Sequence, residues 1–540
     1  MSLDKKIFGA YMKRIKFAAV LVVIVTIVTA FSACFDGSSS SSSGGAAEKT
    51  AVDLSFVAIN DLHGHIEQDD DGKNGLANTK RLIDKMSAFY GDNDASTTER
   101  DDVVLFANGD MFQGTAISNM SRGGAVVAAM NEMGFDGMGV GNHEFDWGFE
   151  SVTKYFNDAS SEVKANFPLV NSNITQKSAQ GLLIGNISDE DNIVSGLIVE
   201  KMGVKVGLIG AIGPCENSIL KGRLSDYTFE DVSESVKTAA LSLKEKGADV
   251  ISVNIHYGNA NDPTNYAANR NIAKLQDENG EWLVDIIFNG HTHTRQKAYI
   301  ERNDGSFVPI VQGGANNQAV SYVKLSYDKS KDTVSFKDYG YAYVNSEGFN
   351  YDYKVQSVIN DYRTTLLDSL PVLATAGVTP SRSDYYTYVA DIMLSAFQSD
   401  YCISNFGGIR SDGNITKNEP IKESNLYEVI PFDNAVYYIE MPGSAIYNHY
   451  AQNYEACFYG CNDDSKAIGE LKDDSAYYTV SVIDYVYTGA YFDPVRRYVR
   501  NETDTHLMLR DLLIEDVTAY GTAGIPWNPA LGSRLEKHVW

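Results

Sequence analysis

Short apolar runs alternate with polar turns along the chain from Val52 onward. Helical patterns lie between these runs, at Thr79–Phe89, Gly124–Met133 and Asp231–Lys246. An alternation of buried strands and helices predicts a layered α/β domain, whose functional groups sit on the loops that follow the strands. The runs that predict strands are rich in β-branched residues and bounded by Gly, Asn or Asp. They are Val52–Ile59, Val103–Phe106, Val204–Ile212, Val250–Ile255, Leu283–Phe288 and Val308–Val311.

A second region of the same class follows this domain. Residues Asp352–Leu370 have a helical pattern that Pro371 ends, and further apolar runs lie at Val436–Met441 and Tyr477–Val486. We therefore predict a first α/β domain over 51–345, a linking helix within 346–371 and a second α/β domain over 372–540.

The N-terminus has the pattern of an export signal. Basic residues precede an apolar run, Phe17–Phe31, which is too short for a comfortable membrane span. Its end, Ser-Ala-Cys34, resembles a bacterial lipobox, so we expect a signal over 1–34 with a lipid-anchored Cys34, and a Ser/Gly tether over 35–50. An uncleaved membrane anchor is the alternative. Either interpretation places the body outside the cytoplasm, in the periplasm or on the cell surface.

The charge of the chain excludes one class of partner. Among its 540 residues the formal net charge is −26, with a pI near 4.7. Binding of polymeric nucleic acid rests on Lys and Arg contacts to phosphate, so no such partner is expected. A small phosphate compound remains possible as a substrate if bound metals or a few arginines supply positive charge locally.

Five polar segments of the first region contain residues that bind metals. Most follow apolar strands, and each places Asp, Asn or His beside glycine, where side chains from several strands can converge on one site. The segments are DLHGH (61–65), NGD (108–110), GNHEFD (141–146), NIHYG (254–258) and NGHTH (289–293). Imidazole and carboxylate groups together favour zinc, manganese or iron over calcium. A shared carboxylate can bridge two ions about 3.5–4 Å apart, the arrangement used for phosphoryl displacement.

Together these five segments resemble the signature of calcineurin-like metallophosphoesterases. The longer forms DLHGH, GDMFQGT and GNHEFDWG resemble the 5′-nucleotidase branch of that family, which includes UDP-sugar hydrolases and cyclic-nucleotide phosphodiesterases. The resemblance implies a four-layer α-β-β-α sandwich carrying two divalent metals, joined by a helix to a substrate-binding α/β domain. In that family the two domains rotate about the linking helix.

The resemblance also implies a role for each motif residue. One metal would be held by Asp61, His63, Asp110 and His293, and the other by Asp110, Asn142, His256 and His291, with Asp110 shared. The family's catalytic dyad falls on His143 and Asp146.

Two segments of the second domain resemble the family's substrate-binding motifs. NFGGIR (405–410) resembles a segment whose arginine binds substrate phosphate, here Arg410, and Asn405 in the same segment is a further candidate for substrate binding. Its glycines alone would equally fit a tight turn. PFDN (431–434) resembles a segment whose phenylalanine stacks on the base, here Phe432, although residue type alone also fits a packed core side chain.

The sequence departs from the family in two other places. Arg382 is a candidate phosphate contact, but it stands in a shifted register. The family's second stacking aromatic is replaced by Tyr491 or Phe492, and the sequence does not decide between them. We therefore expect a nucleotide hydrolase, with UDP-sugar or 2′,3′-cyclic nucleotide hydrolysis as further activities. The alternatives are a phosphoesterase for another phosphate ester and a non-catalytic surface protein that binds a ligand.

Overall fold

The computed structural model describes residues 51–91, 100–158, 160–177, 192–344, 351–410, 414–462 and 464–529. The predicted signal over 1–34, the lipid-bearing Cys34 and the tether over 35–50 lie outside these residues, so they remain predictions. Among the residues so described, no helix combines the length and the apolar character that a membrane crossing requires.

Two sheets form the first half of the fold. In the described residues the first sheet has seven strands, in the order Thr333–Tyr343, Ala319–Asp328, Ala51–Ile59, Val103–Asn108, Gly137–Gly139, Leu169–Val170 and Ile193–Val194. The second has six, in the order Arg295–Glu301, Phe307–Gly313, Ile286–Asn289, Val250–His256, Val204–Ile212 and Leu197–Lys201. Its centre is parallel, as is the part of the first sheet from Ala51–Ile59 onward. The polar ends of these strands are therefore aligned.

Strand alternation separates the core into layers. Successive side chains of a strand point to opposite faces of its sheet. In the first strand Phe56 faces the second sheet and belongs to one cluster with Phe106 and Phe288, whereas Val57 and Ile59 join the cluster beneath the outer helices. The sheets thus bury apolar side chains on both faces, which explains why their strands have nearly continuous apolar sequences.

Helices cover the outer face of each sheet. Against the first sheet pack Gly75–Asp84, Gly124–Met133 and Glu150–Asn157, and against the second pack Val232–Glu245 and Ala267–Ile272. This is the α-β-β-α layering that the resemblance implies. Most predicted elements lie within a residue or two of their expected bounds, but the helix expected over Thr79–Phe89 begins earlier and ends at Asp84. It ends there because the amides of Met86 and Ser87 donate to Ile83 and Asp84 in a turn.

The linking helix spans Tyr353–Arg363 and continues as a π-helical turn over Thr364–Asp368. The carboxylate of Asp352 caps its start by accepting hydrogen bonds from the amides of Lys354 and Val355. Residues 345–350, where the predicted linker begins, lie outside the described residues. The helix packs Val355 into the first domain's core.

The second domain has a core of its own, which extends from Ala374 to Trp527. Its sheet has five strands in the described residues, in the order Cys457–Cys461, Tyr401–Asn405, Tyr477–Ile483, Ala435–Pro442 and Arg500–Met508. A smaller pair joins Val372–Thr375 to Pro420–Lys422. Its helices are Arg382–Phe397, Glu423–Val429, Gly443–Asn453, Asp484–Thr488, Asp493–Arg496 and Leu509–Ala523. The predicted two-domain α/β architecture is confirmed.

Candidate metal centre and substrate cavity

The predicted metal ligands lie at or just beyond the carboxyl ends of strands in the two facing sheets. Asp61 and His63 follow the strand that ends at Ile59, and Asp110 follows the strand that ends at Asn108. Asn142, His256, His291 and His293 occupy the corresponding ends of three further strands. Because these strands run parallel within each sheet, residues far apart in sequence converge at one edge of the sandwich.

Asp61, His63 and His293 form the first cluster of potential ligands. The Nε2 atoms of His63 and His293 are 3.0 Å apart, and the Oδ1 atom of Asp61 lies 3.4 Å from Nε2 of His293. Nδ1 of His63 lies 3.0 Å from the carbonyl oxygen of Gln113 and donates to it. That hydrogen bond leaves the lone pair of Nε2 directed into the cluster, as a metal ligand requires.

Asp110, His256 and His291 form the second cluster, beside Asn142. Nε2 of His256 lies 3.0 Å from Oδ2 of Asp110, and Nδ1 of His291 lies 2.7 Å from Oδ1 of Asn142. Burial would lower the pKa of His256, but the Asp110 and Asp61 carboxylates raise it to about 10. This excess of negative charge would favour a cation, which would displace the proton.

Asp110 connects the two clusters. Its carboxylate also lies within 4.8 Å of ligand atoms of His63 and His143. Burial would raise the pKa of Asp110, but the neighbouring His256 and His143 hold it well below its ordinary value. An ionised carboxylate between two groups of imidazoles fits the shared position that the family resemblance implies.

The backbone is strained at most of these ligands. Positive φ angles occur at Asp61 (50°), His63 (49°), Asp110 (53°), His291 (69°) and His293 (55°), although none of them is glycine. Non-glycine residues rarely adopt this left-handed conformation, and each costs about 1–3 kcal/mol unless the surroundings enforce it. Such concentrated strain is typical of functional sites. Together with the imidazole and carboxylate donors, the geometry fits two divalent ions such as zinc, manganese or iron.

Glu144 supports the ligand loops, a role that the sequence analysis missed although the residue lies within GNHEFD. Its carboxylate accepts hydrogen bonds from the amides of Asp110 (2.8 Å), Met111 (2.8 Å) and Gly141 (2.7 Å). Burial, and then the charge of Asp110, raises the pKa of Glu144 to about 7. The side chain thereby ties the loop that carries Asp110 to the loop that carries Asn142.

His143 and Asp146 form the dyad that the resemblance implies. Nδ1 of His143 lies 2.8 Å from Oδ2 of Asp146, and the amide of His143 donates to Oδ1 of Asp110 at 2.8 Å. Burial alone would lower the pKa of His143, but Asp146 and Asp110 raise it above its ordinary value. Since Asp146 fixes Nδ1, the other ring nitrogen is available to act on a substrate.

A cavity of about 440 Å³ lies over the dyad and the ligand clusters, a size that suits a small-molecule substrate. Its lining comes from both domains: Asp110, Asn142, His143, His291 and His293 from the first, and Asn405, Arg410, Phe432, Asp433 and Tyr485 from the second. The structure thus brings the candidate phosphate-binding residues over the candidate metal centre.

Three of the predicted substrate-binding residues line the cavity. The Arg410 guanidinium has no ion pair within the described chain, and the Oδ1 atom of Asn405 is buried without a hydrogen-bond partner there. Phe432 contacts two neighbours, with its ring centroid 5.8 Å from that of His143 and 5.1 Å from the Arg410 guanidinium carbon. These unpaired polar groups are suited to a polar ligand.

The other three predicted residues lie elsewhere. The prediction that Phe492 could stack on the base is wrong, because this side chain is 0% exposed and packs against His449 and Tyr487 in the core. Tyr491 is 41% exposed but does not line the cavity. Arg382 is also absent from the lining, since its guanidinium donates to the carbonyl of Ile409.

Polar contacts join the two domains beside the cavity. Nη1 of Arg122 lies 2.5 Å from Oδ2 of Asp433, whose other oxygen accepts from Arg510. The amide of Ala116 donates to Oε1 of Glu428 at 2.8 Å. These contacts hold the segment that carries Phe432 against the first domain.

Two family models match the chain, one in each domain. Residues 54–295 match the calcineurin-like phosphoesterase family, and residues 374–459 match the 5′-nucleotidase C-terminal domain. The first match includes every predicted metal ligand and the dyad. The second includes Asn405, Arg410 and Phe432.

Individual proteins are similar to the chain over most of its length. Endonuclease YhcR of Bacillus subtilis (strain 168) is 26% identical over 420 residues, which are 74% of this chain and 32% of that protein, so the chain spans about a third of that relative. The 5′-nucleotidase of Rattus norvegicus is 25% identical over 433 residues, 73% of this chain and 70% of that protein. The structure of a 5′-nucleotidase precursor from Thermus thermophilus matches with a TM-score of 0.67 and 20% identity, over 87% of this chain and 97% of that chain. At that identity the match supports the fold.

Proposed function

We propose that this chain, which belongs to the calcineurin-like phosphoesterases that carry a 5′-nucleotidase C-terminal domain, hydrolyses the phosphate esters of nucleotides. The observation that carries the proposal is the cavity itself. The two ligand clusters and the His143–Asp146 dyad lie on one side, and the Arg410 guanidinium lies on the other. A phosphate group placed between them would meet positive charge from both domains.

Each group would have a distinct task in the reaction. When bound, two divalent ions would activate a water molecule and neutralise the phosphoryl oxygens. Asp61, His63 and His293 would hold one ion, with Asp110 shared, while Asn142, His256 and His291 would complete the other site. His143 would donate a proton or hydrogen bond from Nε2 to the developing charge, because Asp146 fixes its ring through Nδ1.

Arg410 would increase the affinity for the substrate rather than the rate of the chemical step. Its planar guanidinium can bind two phosphoryl oxygens at once and stays charged at neutral pH. The Oδ1 atom of Asn405, which has no hydrogen-bond partner among the described residues, could accept a hydrogen bond from a donor group of the substrate. The second domain would therefore position the substrate over the metals while the first domain performs the chemistry.

The finer features of the function belong to the same proposal. We include UDP-sugar and 2′,3′-cyclic nucleotide hydrolysis as further activities, and an extracytoplasmic site of action with a lipid anchor at Cys34. The export pattern of residues 1–34 supports that location. Nucleotide breakdown outside the cytoplasm would release phosphate and nucleosides for uptake.

Another phosphate ester as substrate is the alternative that a specific observation favours. A base stacks best between two exposed aromatic faces, yet Phe432 already contacts His143 and Arg410, and Phe492 is buried. Of the two aromatics that the resemblance implies as a stacking pair, Phe432 alone lines the described cavity if Phe492 is taken as its partner. The metal centre would still perform the same hydrolysis.

The test is phosphate release from AMP and from 4-nitrophenyl phosphate in the presence of manganese or zinc. We expect His143→Ala to lower kcat by about 10²–10⁴-fold. Arg410→Ala should mainly raise KM, by roughly ten- to a hundredfold, the value of a charge-assisted hydrogen bond. His506→Ala is a matched control, since that exposed histidine lies outside the cavity.

The two substrates separate the outcomes. Hydrolysis of AMP with these two effects supports the nucleotide proposal. Cleavage of the aryl phosphate alone, in a His143-dependent manner, would replace it with the alternative. Equal activity of the wild type and the His143→Ala variant on both substrates would contradict the assigned site.

A further inference from the structure

Tyr485 is an aromatic residue of the cavity that no motif indicated. It lies in the first turn of the helix Asp484–Thr488, directly after the strand Tyr477–Ile483. Among the described residues it is the one tyrosine of the cavity lining, which it shares with Arg410 and Asp146. The candidate aromatics Tyr491 and Phe492, which follow it in sequence, do not reach the cavity.

The hydroxyl of Tyr485 is available to a ligand. The backbone amide of Tyr485 donates to Asp484 at 2.7 Å, but its hydroxyl has no hydrogen-bond partner among the residues that the structure describes. Burial raises the pKa of Tyr485, and the nearby Tyr491 and Asp146 add to that shift. The group therefore stays protonated and can donate a hydrogen bond.

The place of Tyr485 in the cavity lining indicates which part of a substrate it would meet. Under the proposed function, the phosphate lies between the metal clusters and Arg410. The leaving alcohol must then occupy the remaining lining, which includes Phe432, Asn434 and Tyr485. Phe432 already contacts the His143 ring and the Arg410 guanidinium, whereas Tyr485 brings a hydroxyl group to the same lining, so we expect Tyr485 to contact the alcohol.

We propose that Tyr485 is a specificity residue whose hydroxyl donates a hydrogen bond to an oxygen of the leaving alcohol. The inference rests on the proposed hydrolysis of phosphate esters. It predicts a preference for alcohols rich in hydroxyl or ring oxygens, such as the ribose of a nucleotide, over a flat aryl alcohol that offers no such acceptor. A site built to hydrogen-bond a substrate discriminates against analogues that lack the partner.

The test compares Tyr485→Phe with wild type on AMP and on phenyl phosphate, an aryl phosphate whose ring carries no hydrogen-bonding group. Loss of one uncharged hydrogen bond should lower kcat/KM for AMP about three- to tenfold, largely through KM, and leave the aryl phosphate unchanged. The affinity for adenosine, measured by calorimetry, should weaken by a similar factor. Tyr299→Phe is the matched control, because it removes the same atom from an exposed tyrosine of the first domain outside the cavity.

The variant should fold normally, since the removed hydroxyl leaves no buried group of the described chain without its partner. Unchanged AMP kinetics and adenosine affinity in Tyr485→Phe would overturn the inference while leaving the proposed function intact. An equal fall with both substrates would also overturn it, because the effect would then not depend on the alcohol. If the wild type hydrolyses neither substrate, the proposed function fails and the inference fails with it.

Discussion

Asp433 stands between two arginines of very different burial, which allows their contributions to be separated. The side chain of Arg510 is 4% exposed, that of Asp433 is 16% exposed and that of Arg122, from the first domain, is 45% exposed. Arg510 also donates to the carbonyls of Ile430 (3.1 Å) and Phe432 (3.4 Å). We predict that Asp433→Asn destabilises the second domain far more than Arg122→Ala does.

The magnitudes follow from burial. Removing one partner of a buried ion pair costs about 3–5 kcal/mol, because the other charge is left in a poorly solvated position. Arg510 keeps its carbonyl hydrogen bonds and lies over the ring of Tyr427, so we expect the lower end, about 3 kcal/mol, for Asp433→Asn. The exposed Arg122 should contribute about 1 kcal/mol or less.

The assay is urea unfolding at pH 7 followed by tryptophan fluorescence and circular dichroism. Trp527 is fully buried in the core of the second domain, so its exposure contributes to the fluorescence change when that domain unfolds. Burial would raise the pKa of Asp433, but Arg510 and Arg122 hold it below its ordinary value. Its stabilising effect is therefore present above the unfolded-state pKa and is lost as the pH falls through the folded one. A cost for Asp433→Asn no larger than that for Arg122→Ala would refute this reasoning.

Three further predictions concern the domain contact and the metal centre. Burial raises the pKa of Glu428 to about 7, so the melting temperature of the wild type should fall as the pH rises from about 5 to 8. Glu428→Gln should make this fall smaller, and a difference in melting temperature between the two proteins that does not change with pH would contradict the prediction. Glu144→Ala frees three buried amides and should weaken manganese binding at least tenfold in calorimetry, whereas unchanged affinity would remove its supporting role. Gly109→Ala places a Cβ atom on a residue with a φ of 77°, 2.6 Å from Nδ1 of His256. This clash should displace His256 and abolish binding of the second ion, so two bound ions per chain in the variant would contradict the prediction.

The convergence of the candidate metal ligands could be predicted from the sequence because its signal is local. Each ligand lies beside glycine at a strand end, and the topology of parallel strands brings such ends together whatever the exact loop geometry. Asp61, Asp110 and His291 could therefore be named before any distance was known. The supporting role of Glu144 could not, since it depends on three amides from two loops meeting at one carboxylate.

The substrate-binding residues of the second domain were harder to predict, because side-chain packing decides which of them reach the cavity. Tyr491 and Phe492 are adjacent aromatics, and no local pattern indicates which one faces the core. Phe492 fills a space beside His449 and Tyr487, which turns Tyr491 outward. Tyr485 belongs to an apolar run that is typical of a strand interior, but the strand ends at Ile483 and the next turn directs the ring to the cavity.

The most direct test of the central claim counts divalent ions and activity in one titration. The protein is freed of metal with a chelator, and manganese is added back while bound ions per chain and phosphate release from AMP are both measured. We expect two ions to bind and hydrolysis to rise as the second site fills, and we expect Asp110→Asn to fail to retain the pair. Full activity without metal, or saturation with fewer than two ions, would contradict it.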